Sequence, residues 1–306
     1  SITLSHDCLG RATMMNSARL VLSKAIEQNN YAAIQIERGN YLEARSVLPS
    51  SLYSLNHLLC WQRTHSSSDA FVDNESLTSN KPSSFVALNG ESVDESNLSI
   101  IDNSNLEPGQ ESTCPNERYF KNMMESGDSQ QRIDFYRTPI HLDHDNCLKQ
   151  TQLSPTEEIA ILSSSAAVVI FNLALVMNLM AAKPPDMSDA SNTALERDNR
   201  RKNSCLKKAE SLYGLAMDMI LHSTMCREID AFHGKLLLAA VNNLGAIRLQ
   251  RNDCEAALIN FQFLMHTLML MVDRGIVLGS DGEWFLGNAL LAENRFKTTS
   301  WLAGAA

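Results

Sequence analysis

The chain has 306 residues, of which 44% are hydrophobic, and this is enough apolar material for the core of one or two ordinary domains. Its 26 basic and 35 acidic residues give a net charge of −9, so no basic excess is available to neutralise phosphates, and a nucleic-acid-binding protein is disfavoured. The cysteines are odd in number and form no CxxC pair, which favours a reducing compartment over a disulfide framework. The first residues show no apolar signal-peptide core, and we expect a cytoplasmic or nuclear protein.

The first half of the chain divides into three predicted stretches. Residues 1–12 are predicted to be a flexible N-terminus. Residues 13–61 carry apolar residues at helical spacing, interrupted at Gly39-Asn40, and this pattern predicts a helical hairpin. Residues 62–132 hold most of the acidic excess, many serines and few apolar clusters, so they are predicted to be a disordered linker.

The second half, residues 133–306, is predicted to be a helical domain with a polar insertion at residues 183–204. Its first long helix should begin after Ser154, because Ser154 can cap a helix that has Pro155 at its first position and Glu157 at its third. No alternation of polar and apolar residues typical of a strand occurs over any length. The predicted fold class is therefore all-α.

Three stretches of the chain resemble one another. NYAAIQIERGNYLEARSVL begins at Asn30, NLGAIRLQRNDCEAALINFQFL begins at Asn243, and NLALVMNLMAA begins at Asn172 and resumes after the insertion as CLKKAESLYGLAM. In the first and third stretches, a small residue on one helix and an alanine on the next stand twelve residues apart, so that the two backbones can pack closely. The predicted repeat-packing residues are Ala32, Ala44, Leu173, Ala174, Ala209, Tyr213, Ala216, Leu244, Gly245, Ala257 and Phe261.

This register resembles the tetratricopeptide repeat (TPR), which has Leu-Gly in its first helix and then Ala, an aromatic residue and Ala in its second. The third stretch matches best, through Leu244, Gly245, Ala257 and Phe261. The chain is similar to a divergent TPR-like group without assigned biochemistry. The resemblance implies a TPR-like α-α superhelix of helical hairpins, with a concave groove that binds an extended peptide or a partner helix.

Asparagines recur at one position of the repeats. Asn30, Asn172 and Asn243 share a register that faces the groove in TPR-like proteins, Asn242 precedes one of them, and Asn178 follows another. A side-chain amide offers both a donor and an acceptor to an extended peptide backbone. We therefore predict a peptide-binding groove at these five residues in a non-enzymatic scaffold. The expected partner is a protein or peptide, with no nucleic acid, cofactor or metal.

One alternative is a membrane-anchored protein. Residues 159–182 are long and apolar enough to span a bilayer, and they contain no charge. The three successive serines from Ser163 and the presence of Asn172 argue against a span, because the repeat register explains the same segment as a buried helix.

A second alternative is a helical, metal-dependent enzyme. His141, His144 and Cys147 have a spacing that could hold Zn²⁺. They follow or overlap a segment at residues 135–142, FYRTPIHL, which is predicted to be extended because its proline disfavours helix at the preceding residue. No second ligand cluster accompanies them, so a polar loop is the competing interpretation.

Overall fold

Seven α-helices form the described part of a computed structural model, which covers residues 3–66, 133–144, 154–184, 192–224 and 229–303. No β-strand occurs in these ranges, so the predicted all-α class is confirmed. The helices are α1 Thr3–Glu37, α2 Tyr41–Ser66, α3 Pro155–Ala182, α4 Asn192–Thr224, α5 Ala231–Gln250, α6 Cys254–Asp273 and α7 Ser280–Ala303.

Two predicted boundaries in the first half differ from the structure. Helix α1 already begins at Thr3, within residues 1–12 that were predicted to be flexible, because a helix extends at little cost once it is nucleated and no proline stops it here. Helix α2 continues to Ser66, so the first residues of the predicted linker at 62–132 are helical. The rest of that linker, residues 67–132, lies outside the described residues.

The predicted polar insertion at residues 183–204 is also partly helical, because α4 begins at Asn192. Charged pairs at helical spacing support an exposed helix of this kind, since such side chains meet one turn apart. The pairs are Glu196 with Arg200, at 3.4 Å, and Asp198 with Arg201, at 2.9 Å.

Helices that are consecutive in the chain are also neighbours in space. Each helix packs against the next one along the chain, and α1, α3, α5 and α7 also contact one another in that order. The odd-numbered helices therefore form one layer, and α2, α4 and α6 each pack against two successive helices of that layer. The first hairpin packs against α3 although residues 67–132 separate them in sequence.

Small residues line the contacts within the helical pairs. A Cβ added at Gly245 of α5 would lie 3.0 Å from the Phe261 ring of α6, so these two helices approach each other closely at this point. Leu173 is partly buried. The remaining predicted repeat-packing residues are buried: Ala32, Ala44, Ala174, Ala209, Tyr213, Ala216, Leu244, Ala257 and Phe261.

Two turns between paired helices have the same geometry. Gly39 lies between α1 and α2 with φ 79°, and Asn252 lies between α5 and α6 with φ 62°. After each, the next backbone N–H donates to a carbonyl five residues back, at 2.8 and 2.9 Å. Glycine and asparagine tolerate this left-handed conformation, so α1 and α5 end in the same way.

The start of α3 follows the prediction. Ser154 accepts a hydrogen bond from the Glu157 N–H, the Glu157 side chain accepts one from the Ser154 N–H, and Pro155 occupies the first turn. The predicted capping box is therefore confirmed. It fixes the N-terminus of the most apolar helix in the described chain.

By length and composition, two of the described helices could cross a membrane: Thr156–Ala182 and Cys254–Asp273. The most apolar window of the first is 72% buried inside the protein, and that of the second is 39% buried. A buried core helix of a soluble protein passes the same test of length and hydropathy, so these properties alone do not assign a membrane span.

Candidate peptide-binding groove

The layer formed by α1, α3, α5 and α7 is covered by a segment of the same chain. Residues 133–144, here called the groove segment, contain no regular secondary structure up to residue 143 and lie against these four helices. The buried residues of the segment are Tyr136, Pro139, Ile140 and Leu142, whereas Arg137 and His141 are exposed. The segment is therefore extended, with one face towards the helices.

Asparagine side chains hold the backbone of the groove segment at its C-terminal end. Asn172 of α3 donates to the Ile140 carbonyl at 2.8 Å, and its carbonyl oxygen accepts the Ile140 N–H at 2.9 Å. Asn30 of α1 makes the same pair of bonds with Leu142, both at 2.8 Å. Each amide thus satisfies both backbone groups of one residue, as a neighbouring strand would.

The N-terminal end is held in the same way. Asn243 of α5 donates to the Tyr136 carbonyl at 3.0 Å and accepts its N–H at 2.6 Å. Asn288 of α7 donates to the Asp134 carbonyl at 2.9 Å, and the reverse contact from the Asp134 N–H is 3.5 Å long. All four odd-numbered helices therefore contribute one asparagine to a row along the segment.

A second set of amides orients this row. Asn29 bonds the Ile140 carbonyl at 3.2 Å and accepts a bond of 2.9 Å from Asn172. Asn242 bonds the Asp134 carbonyl at 3.1 Å and accepts a bond of 2.9 Å from Asn288. Because each of these amides is bonded on several sides, rotation would break more than one bond, and the row is held in one orientation.

A hydrogen bond to a tyrosine also holds the side chain of Asn243 in place. Its amide donates to the Tyr213 hydroxyl at 2.9 Å, and Tyr213 is fully buried against Phe171, with ring centroids 5.5 Å apart. Burial raises the pKa of Tyr213 well above its ordinary value, so the phenol is neutral under physiological conditions.

The side chain of Tyr136 occupies an aromatic pocket between α5 and α7. Its ring stacks on Phe285 at 5.2 Å and meets the edge of Trp284 at 5.6 Å between centroids. The Lys235 ammonium lies 5.9 Å from the centre of the Tyr136 ring and forms an ion pair of 2.6 Å with Asp281. The pocket thus combines aromatic surface with one cation, which suits an aromatic side chain.

Burial dominates the electrostatics of this pocket. It raises the pKa of Tyr136 to about 12, while the nearby Lys235 acts in the opposite direction. Within the described residues, the buried hydroxyl makes no hydrogen bond of ordinary geometry. The pocket therefore holds the ring mainly by packing.

The exposed edge of the groove segment contacts α1. His141 lies 3.1 Å from a Glu37 carboxylate oxygen, and His144 lies 3.0 Å from the Ser23 hydroxyl. Cys147, the third residue of the predicted metal-ligand spacing, lies outside the described residues. Among the residues that the structure describes, no group of three or more potential ligands is placed to hold a metal ion.

Four of the five predicted groove asparagines contact the groove segment, namely Asn30, Asn172, Asn242 and Asn243. The fifth, Asn178, is buried beside the Tyr213 hydroxyl and helps to lower the pKa of that phenol. The reason is its place in the helix: six residues after Asn172, it points to another side of α3.

Sequence reasoning did not include two asparagines of the groove. Asn29, which precedes Asn30, and Asn288 are not among the five predicted residues. A signal for Asn288 exists, since it follows a Leu-Gly pair within an apolar helix, as Asn243 precedes one. The order of the residues differs between the two helices, and this concealed the shared position.

No family model matches this chain, and neither does any curated protein or solved structure with which it was compared.

Proposed function

We propose that this chain is a non-enzymatic protein-interaction scaffold that binds an extended peptide along the asparagine row. The observation that carries the proposal is that Asn30, Asn172 and Asn243 each pair with both backbone groups of one residue in the groove segment. Backbone pairing gives affinity for an extended chain, and side-chain pockets add specificity.

The finer architecture that we propose is a TPR-like superhelix in the cytoplasm or nucleus. Helices that pack in chain order, with a second set of contacts between alternate helices, support it, as do the buried small residues between the paired helices. In such a solenoid the alternate helices line a concave surface, and the contacts of the groove segment with α1, α3, α5 and α7 support this arrangement.

The test is exchange of the groove segment for a synthetic peptide. Protease sites are inserted into residues 67–132 and 145–153 of the full chain, the folded protein is cut at both, and a fluorescent peptide of residues 132–144 is added. We expect saturable binding by fluorescence anisotropy. Changing Asn172 or Asn243 to alanine should weaken binding by about tenfold to a hundredfold, since each change leaves buried backbone groups unpaired.

Asn203→Ala is the matched control, because Asn203 is exposed on α4. It should leave the affinity unchanged. If no labelled peptide enters the cut protein over several days, or if the Asn172 and Asn243 variants bind like the control, the proposal is wrong.

A further inference from the structure

The groove segment shows which side chains the groove accepts. Three of its residues, Tyr136, Ile140 and Leu142, turn their side chains into the helical layer and are almost fully buried. Arg137 and His141 alternate with them and are exposed, with 52% and 45% of their side-chain surface accessible. The helices therefore constrain the first three positions by shape, whereas Arg137 and His141 make only exposed polar contacts, with Asp134 and Glu37.

Pro139 has a particular place in this pattern. It is buried between the residues held by Asn243 and those held by Asn172, and it carries no backbone N–H. A buried position without a donor leaves no N–H to be satisfied, and proline also keeps its predecessor extended. Any other residue at this position would bring a donor into the groove.

The aromatic position is defined most sharply. The Tyr136 ring is enclosed by Trp284, Phe285 and Lys235, and its hydroxyl makes no hydrogen bond of ordinary geometry among the described residues. Phenylalanine should therefore fit as well as tyrosine, whereas an aliphatic side chain would lose the stacking contacts.

From these contacts we propose that the partner is a peptide with the pattern aromatic-x-x-Pro-aliphatic-x-aliphatic, and that the groove segment is a built-in competitor which this peptide must displace. The inference rests on the proposed function. The segment remains attached to the chain on both sides, so its effective concentration at the groove is on the order of millimolar or higher. A partner of the same pattern gains access when its own local concentration or its affinity exceeds that of the tethered segment.

The experiment uses the doubly cut protein described above and a panel of labelled peptides of residues 132–144. Alanine at the positions of Tyr136, Ile140 or Leu142 should weaken binding by about tenfold or more, because each removes a buried side chain. Alanine at the positions of Arg137 or His141 should change it by less than about twofold. Phenylalanine in place of Tyr136 should bind at least as tightly as the parent peptide.

The same parent peptide is then added to the uncut chain. We expect its apparent affinity to fall by about tenfold or more, because the tethered segment competes. Equal losses at buried and exposed positions would overturn the pattern while leaving peptide binding, and thus the proposed function, intact. Equal affinity for cut and uncut protein would overturn the competitor role, and binding of no peptide at all would refute the proposed function itself.

Discussion

An asparagine that faces an extended backbone can do for one residue what a neighbouring β-strand does for a row of residues. Its amide donates to the carbonyl and accepts the N–H of the same residue, as Asn172 does with Ile140. In a helical protein, a buried extended segment has no adjacent strand to satisfy its backbone. The asparagines therefore make it possible to bury the groove segment at all.

At this scale we expect Asn243→Ala to lower the free energy of unfolding of the intact chain by about 2–4 kcal/mol. The substitution leaves the Tyr136 N–H and carbonyl and the Tyr213 hydroxyl without the bonds that Asn243 supplies. Urea unfolding followed by circular dichroism measures the loss. The control Asn203→Ala should change stability by less than about 0.5 kcal/mol, and a similar value for both variants would contradict the role assigned to Asn243.

A second residue-scale prediction concerns pH. Because burial raises the pKa of Tyr136 to about 12 from an unfolded value of 10.0, the folded state binds this proton more tightly. The associated stability is fully present below about pH 10 and is lost as the pH rises through about 12. We expect the wild type to lose up to about 2–3 kcal/mol more than Tyr136→Phe over this interval.

The comparison is made by urea unfolding of both proteins between pH 9 and pH 12. Tyr213, whose pKa is also raised by burial, is present in both and cancels from the difference. Parallel curves for the two proteins over this range would show that Tyr136 is not held as described.

At the scale of helices, one glycine is closely packed and another faces open space, so we expect alanine substitutions at the two positions to have opposite effects on stability. A Cβ at Gly245 would meet the Phe261 ring at 3.0 Å and the Asn260 Cβ at 3.3 Å, whereas a Cβ at Gly214 of α4 would meet nothing within 4 Å. We expect Gly245→Ala to be destabilising by about 1–2 kcal/mol after its gain in helix propensity. Gly214→Ala should be stabilising by about 0.5–1 kcal/mol.

Thermal unfolding of the two single variants measures this difference, and each serves as the control for the other. Stabilisation by Gly245→Ala equal to that by Gly214→Ala would mean that α5 and α6 do not approach each other closely at this seam.

The sequence predicted most elements and the asparagine row, but not what the row binds. The helical spacing and the Ser154 cap defined α3 correctly, because both signals are local. The start of α4 was missed, because its first turns are polar and exposed and carry little apolar periodicity. The extended character of residues 135–142 was predicted as well. The asparagines bind the backbone of the groove segment, which is the same for every residue type other than proline. The sequence of the segment therefore gives no sign that the asparagines bind it.

At the scale of the whole molecule, the apolar character of α3 follows from its position. It packs against α2 and α4 along its length and also contacts α1 and α5, and the groove segment covers it at Asn172. A helix enclosed on so many sides is apolar all round for the same reason as a membrane span, which is the absence of water.

We therefore expect the full chain to stay in the aqueous fraction when cell fractions are extracted with alkaline carbonate. Hydrogen exchange of the detergent-free protein should show the backbone amides of Ala166–Phe171 among the slowest, because these residues are buried. A known single-span protein in the same fractions provides the control. Retention of the chain in the pellet would support the membrane-anchored alternative instead.

The spacing of the backbone contacts along the groove segment is uneven. Asn288 and Asn243 bind residues two positions apart, and so do Asn172 and Asn30, but the residues bound by Asn243 and Asn172 are four positions apart. The groove thus binds the backbone of its occupant at two pairs of residues, and the asparagine row makes no backbone contact between the two pairs. A bound peptide with two additional residues between these pairs would keep all the backbone contacts and the same side chains facing the helices. One additional residue within either pair would instead turn every following side chain to the opposite face.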